Sequence, residues 1–332
     1  MLTPSPKFTP SLIACAAAAA LLAACGGGGS DTADAAAIDD STATAYAANA
    51  TQIASDASSA TDAAVQSAQT MIALAAAASA GDDRATALAV AAATTTHNCP
   101  GGGTATLSIT GGTPESVVNG QLDAGEVHAV AFAACKDVTG AATLNGSMAM
   151  TVLAASGDTS NGTLGLGLVF TDLSAALGQG SASLNGSVSR TVTVSTDAGG
   201  VRLASHFVAP SLTLATHYNT RNSSFTLSAA DIQRSVTLVG GLPQSSTISG
   251  THTLSATLPN GSYAYTVATN GGASYSASGA PVSGDWTLTL PQNLIGVTVA
   301  NGQATITVDK GKDGTIDRTI IVPVPTLVAN AG

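Results

Sequence analysis

Leu184-Asn185-Gly186-Ser187 opens a run, Val188 to Ser195, in which apolar and hydroxyl residues alternate, and Leu144-Asn145-Gly146-Ser147 stands in the same way before Met148 to Leu153. Ile248-Ser249-Gly250-Thr251 and Val282-Ser283-Gly284-Asp285 repeat the plan: an aliphatic, a small amide or hydroxyl, a glycine and a polar residue. Alternation with period two is the signature of a strand with one face buried. A glycine inside such a run marks a bulge or bend, where a long strand changes direction. The intervals between these glycines, 40, 64 and 34 residues, are irregular, so the pattern is not that of a solenoid or propeller. The fold expected is all-β: a long, strongly coiled antiparallel meander, an open or partly closed barrel-like sheet, with an Ala-rich N-terminal helix.

Outward from these motifs, further strands are expected at Thr104 to Thr110, Val127 to Ala134, Thr163 to Phe170 and Val201 to Thr216. Others are expected at Ser224 to Val239, Ser246 to Leu258, Tyr263 to Ala268, Asp285 to Leu290, Gln303 to Val308 and Thr315 to Val322. Asn119-Gly120, Asn161-Gly162, Asn260-Gly261, Asn270-Gly271 and Asn301-Gly302 supply the positive φ that tight hairpins require. Short connections without helical stretches imply antiparallel neighbours.

The N-terminus reads differently. A weakly basic start, Met1 to Lys7, precedes an apolar run from Leu12 to Ala24 that is too short to serve comfortably as a membrane span. The run ends in Leu22-Ala23-Ala24-Cys25, which resembles the lipobox of bacterial lipoproteins, where the cysteine is acylated, with chains such as palmitate, and becomes the new first residue. Residues 26–48, glycine-rich and then Ala, Asp, Ser and Thr, read as a tether that would reach about 75 Å if fully extended. From Asn49, an N-cap candidate, to about Ala80 the residues favour helix, with a stripe of Ala57, Ala60, Ala64, Met71 and Leu74. That stripe suits a spacer helix resting on the sheet better than an alanine coiled coil, and Ala85 to Ala93 is a further short helical candidate. The expected division is a signal peptide at 1–24, a lipidated tether at 25–48, an Ala-rich helical segment at 49–95 and a β domain at 96–332.

Charge narrows the partners. Of 10 basic residues Lys7 leaves with the signal, so 9 face 20 acidic ones in the mature chain, a formal charge of −11. Nucleic acid and anionic headgroups are therefore poor partners. Cys15 leaves with the signal and Cys25 takes lipid, which leaves Cys99 and Cys135 as an even pair in an oxidising compartment. A disulfide between them closes a loop of about 37 residues, worth roughly 4 kcal/mol in the chain-entropy model.

Asp309-Lys310-Gly311-Lys312-Asp313-Gly314-Thr315-Ile316-Asp317 is the most ligand-like segment. Asp309, Asp313 and Asp317 with Gly314 resemble a calcium loop, but Gly311 and Ile320 stand where two oxygen ligands belong and two lysines oppose a dication. A plain hairpin turn is the favoured reading, with calcium the only cofactor under consideration. His97, His128, His206, His217 and His252 are spread among strands and read as surface residues; no GxSxG, HExxH or SxxK occurs. Tyr263 and Tyr265 share a strand face that Trp286 is placed to join, as core or as the wall of an apolar pocket. A transmembrane barrel is the structural rival, though aromatic girdles are missing.

The lipobox, the pair Cys99-Pro100-Gly101-Gly102 and Cys135 followed by Leu144-Asn145-Gly146, and the terminal Asp313-Gly314-Thr315-Ile316-Asp317 together resemble β-rich envelope lipoproteins of Gram-negative bacteria that have no characterised activity. That resemblance implies outer-membrane attachment through Cys25, because Gly26 rather than aspartate follows the cysteine. It brings no catalytic residue. The expected function is a non-enzymatic β domain that binds an envelope protein or scaffolds the envelope. The alternatives are a carrier of lipid or another apolar ligand in a curved sheet and, less favoured, a hydrolase.

Overall fold

A computed structural model of the chain describes residues 38–51, 92–112, 122–136, 142–158, 160–219, 221–258 and 261–329. The strands are β1 (Ala92–Asn98), β2 (Thr104–Thr110), β3 (Val127–Cys135), β4 (Thr143–Gly157), β5 (Gly162–Leu177), β6 (Gly180–Asp197) and β7 (Gly200–Tyr218). They continue as β8 (Arg221–Val239), β9 (Leu242–Leu258), β10 (Gly261–Ser276), β11 (Pro281–Thr289), β12 (Asn293–Ala300), β13 (Gln303–Lys310) and β14 (Arg318–Pro323). All fourteen form one antiparallel sheet in sequence order. The meander is open, with β1 and β14 as its two edges. The closed ring of a barrel is therefore not formed.

Strands β7 and β8 run for 19 residues each, about three times the usual length. A sheet that long coils only if its strands bend, and the Leu-Asn-Gly-Ser motifs supply the bends. In β6 the Asn185 Oδ1 accepts the Asp172 backbone N–H of β5 at 2.6 Å, and its Nδ2 donates to the Asp172 carboxylate at 3.1 Å. Asp172 itself sits at φ 46°, where the β5–β6 register slips between Phe170 and Leu173. Asn145 of β4 repeats the device by accepting the Ala134 N–H of β3 at 2.8 Å, with Ala134 at φ 50°. Each asparagine thus satisfies an amide that the bulge takes out of the ladder. The following glycine lets the backbones close up: a Cβ at Gly186 would lie 2.1 Å from the Ser211 carbonyl oxygen, and one at Gly146 2.1 Å from that of Asp172. Similar slips lie opposite Gly250 and beside Gly284, so a line of bulges crosses the sheet.

The two faces differ. On the inner face alternate residues of β10 to β13 are buried: Tyr265, Val267, Ala273, Tyr275, Trp286, Leu288, Ile295, Val297, Val299, Ala304, Ile306 and Val308. Helix α1, residues 40–51, packs on it through Ala43, Ala47, Ala48 and Ala50, whose small side chains allow a close approach. Tyr275 Oη donates to the Thr51 carbonyl at 2.9 Å, Tyr46 meets Tyr265 edge-on at 5.3 Å, and Arg318 pairs with Asp40 at 2.7 Å. A C-terminal helix α2 (Val324–Ala329) adds Val324 and Leu327.

Four expectations need correction. The helix starts at residue 40, not at Asn49, because Asp39 is the N-cap: its Oδ1 accepts the Thr42 N–H at 2.7 Å and the Ser41 hydroxyl at 2.8 Å, which holds its carboxyl below the usual range. Residues 40–48 therefore belong to the packed domain rather than to a tether. Asn270-Gly271 is no hairpin; it lies inside β10 at a register slip. The sheet begins at Ala92, ahead of the boundary expected at 96 and inside the Ala85 to Ala93 helical candidate, and includes β1 and β12, neither of which was anticipated. Residues 52–91, with most of the Ala-rich segment, lie outside the described residues, as do the signal and Cys25.

Candidate functional site

Strands β6 to β10 present a polar pocket on the outer face. Register builds its floor from two polar rungs: Thr191, His206, Gln233 and Ser249 lie side by side, and Thr193, Ala204, Ser235, Thr247 and Ser274 form the next. They line an open groove of about 890 Å³ with Arg202 at one end and Gly271-Gly272 of the β10 bulge forming a wall. Arg202 Nε donates to Ser235 Oγ at 3.0 Å. His206 Nε2 meets Asp231 Oδ1 at 2.8 Å in a pair that is 46% and 62% exposed, worth little in stability. Hydroxyls, an amide, the His206 imidazole and the Arg202 guanidinium give a surface suited to hydrogen bonding with a polar partner. Beneath it, on the inner face, burial and the neighbouring Arg234 push Arg190 down to about 10, so Arg190 remains charged at neutral pH.

The disulfide joins Cys99 to Cys135, Cα to Cα 5.4 Å, tying the β1–β2 turn to the end of β3. Backbone hydrogen bonds from Gly101 N–H to Lys136 O (2.8 Å) and from Lys136 N–H to Gly102 O (2.9 Å) close the same corner. Asp309, Asp313 and Asp317 fall in the β13–β14 hairpin but turn their oxygens to backbone amides rather than to a common centre. Asp309 is buried and accepts from the Asp313 and Gly314 N–H groups at 3.1 and 3.0 Å; Asp317 accepts from Lys310 N–H at 2.7 Å, and Asp313 from Thr315 N–H at 2.8 Å. Among the described residues no group of three or more histidine, cysteine or acidic side chains is placed to hold a metal ion. Calcium coordination by this loop is not what the geometry builds.

The aromatics converge on the inner face as core. Tyr263 and Tyr265 stack at 6.2 Å, and Trp286 joins Tyr275 edge-on at 6.5 Å rather than the Tyr263–Tyr265 stack. Of the histidines, His217 hydrogen-bonds Asn222 at 2.5 Å and His206 pairs with Asp231, as surface residues do. His252 contradicts the surface expectation: it is 2% exposed, its Nε2 has no hydrogen-bond partner, and burial pushes it down to about 4. Its position in register with Val267, on the buried side of β9, requires this. His128 is paired with Glu126 at 3.0 Å, where Glu126 is fully buried and also accepts the Asp123 N–H at 3.3 Å. Sequence reading missed that pair, although an acid and a histidine at i and i+2 at a strand start share a face.

Comparison with known proteins found no matching family, no similar curated protein and no similar solved structure.

Proposed function

We propose that this chain is a lipid-anchored lipoprotein of the bacterial outer membrane whose β domain acts without catalysis, binding a partner in the envelope or scaffolding it. The observation that carries the reading is the occupancy of the inner face. The apolar inner surface on which a carrier would hold its cargo is packed, over β10 and β14, by the chain's own α1, through Ala43, Ala47, Tyr46 on Tyr265, Thr51 on Tyr275 and Asp40 on Arg318. The face left open to partners is the polar one, with its groove of Thr191, Arg202, Gln233, Thr247 and Ser274. Such a surface recognises a partner by hydrogen bonds and shape more than by apolar burial.

The anchor rests on Leu22-Ala23-Ala24-Cys25. Since α1 begins 15 residues after Cys25, an attached domain stands within about 50 Å of the bilayer even with the connection fully extended. Cys25→Ser should leave an unprocessed precursor that takes up no labelled lipid; normal labelling of that variant would refute the anchor. For partner binding, a photo-crosslinking side chain at Gln233, compared with one at Thr319 on β14, should capture an envelope protein selectively. Equal capture at both positions would argue against the groove as the binding surface.

A further inference from the structure

The two edges of the open sheet are built differently, and the difference points to a second copy of this chain. Edge strand β14 is only six residues long, carries the charge of Arg318, ends in Pro323, which has no N–H to offer, and runs at once into α2. Those are the devices by which proteins keep edges from pairing. Edge strand β1 carries neither the charge nor the proline. Its seven residues, Ala-Ala-Thr-Thr-Thr-His-Asn, include no formally charged side chain, no proline and no glycine. It pairs with β2 over its whole length without a register slip, and residues 94–98 are exposed. About half of its N–H and C=O groups therefore point away from β2, in a straight row that a further strand fits.

We propose that β1 is a self-association edge, on which the β1 of a second copy pairs antiparallel about a twofold axis through Thr95, joining two meanders into one continuous sheet. The side chains are self-complementary in that register. Thr95 meets Thr95 of the partner, and Thr94 and Thr96 meet each other twice. Facing threonines are the cross-strand pair this sheet already uses: Thr96–Thr106, Thr163–Thr193, Thr213–Thr226 and Thr253–Thr266 join hydroxyl to hydroxyl at 3.1, 3.0, 2.9 and 2.9 Å. A twofold pairing also closes on itself, since both free edges of β1 are used and each outer end becomes a protected β14. A strand of this length buries less than a standard interface, so a micromolar or weaker dimer is expected.

The test uses the full mature chain in detergent. Thr95→Cys should give a covalent dimer on mild oxidation, whereas Thr319→Cys, on β14, should stay monomeric. Sedimentation of the unmodified chain should show a concentration-dependent monomer–dimer equilibrium, and Thr95→Lys, which sets two cations face to face across the axis, should weaken it at least about tenfold, with unchanged circular dichroism. A chain that is monomeric up to about 1 mM, or equal crosslinking through Thr95→Cys and Thr319→Cys, would overturn the proposal. So would crosslinking between one chain bearing Thr95→Cys and another bearing Thr319→Cys, because it would mean head-to-tail polymerisation instead.

Discussion

Replacing His252 by leucine should change the acid sensitivity of the fold. The imidazole is buried on the inner face of β9 without a partner for Nε2, and burial pushes its pKa from 6.5 to about 4. The unfolded chain therefore binds a proton at His252 once the pH falls through about 6.5, whereas the folded chain does so only near 4. Between those values each pH unit removes about 1.4 kcal/mol of stability, and the full effect is about 3 kcal/mol below pH 4. Stability from this residue is present above pH 6.5 and is lost on acidification. Asp39 and Asp158, whose carboxyls are held below 3.8 by backbone N–H groups, act only in more acid solution and leave the window clear. Urea unfolding followed through Trp286, the only tryptophan, would give the free energy at each pH. The difference between wild type and His252→Leu should be flat above pH 6.5 and diverge below it, with the variant the more resistant. At neutral pH the variant should match or exceed wild type, because it removes an unsatisfied polar atom from an apolar site. Parallel curves from pH 7.5 to 4 would refute the reasoning.

The bulge line makes a second prediction: Gly186→Ala should cost roughly 2–4 kcal/mol through the clash with Ser211 O and the positive φ of 121°. Gly178→Ala, a turn glycine whose Cβ would meet nothing within 4 Å, should cost only about 1 kcal/mol; equal losses would show that the close approach does not matter. Reducing the disulfide, or Cys135→Ser, should lower stability by about 2–4 kcal/mol, read from the urea midpoint. Calcium and chelator should leave the melting temperature unchanged, because the Asp309 and Asp317 oxygens are engaged by amides. Asp309→Ala should lower it by releasing the Asp313 and Gly314 amides, and a rise in melting temperature with calcium would reinstate the cation site.

Much of the sheet was legible because its signals are local. Alternation located β2 to the residue and β3, β7, β8, β13 and β14 to within a few positions, but β4, β5, β6 and β10 run well beyond the stretches expected and β1 and β12 were not expected; Asn301-Gly302 forms the β12–β13 hairpin with φ of 53° and 75°. The glycine motifs were readable as bulges because an isolated Gly within an alternating run has few other uses. What escaped depended on partners distant in sequence. Asn270-Gly271 has the composition of a hairpin, and only pairing on both sides shows it to be a bulge within β10. In β12, Pro291 precedes the strand and Gly296 interrupts its side-chain pattern, but pairing with β11 and β13 holds it in place. The start of α1 at Asp39 was obscured because alanine and threonine suit tether and helix alike until the inner face buries them. The groove was not legible at all, since its rungs come from strands whose register the sequence does not state.

The central claim is that the inner face is filled by the chain itself, so that the domain works through its outer surface and edge. Native mass spectrometry of residues 26 to 332, folded in an oxidising periplasm and measured before and after organic extraction, tests it most directly. The account predicts the mass of the bare polypeptide with its disulfide formed, the same in both spectra. A discrete extractable lipid or other apolar mass, bound in stoichiometric amount, would contradict it and make the protein a carrier.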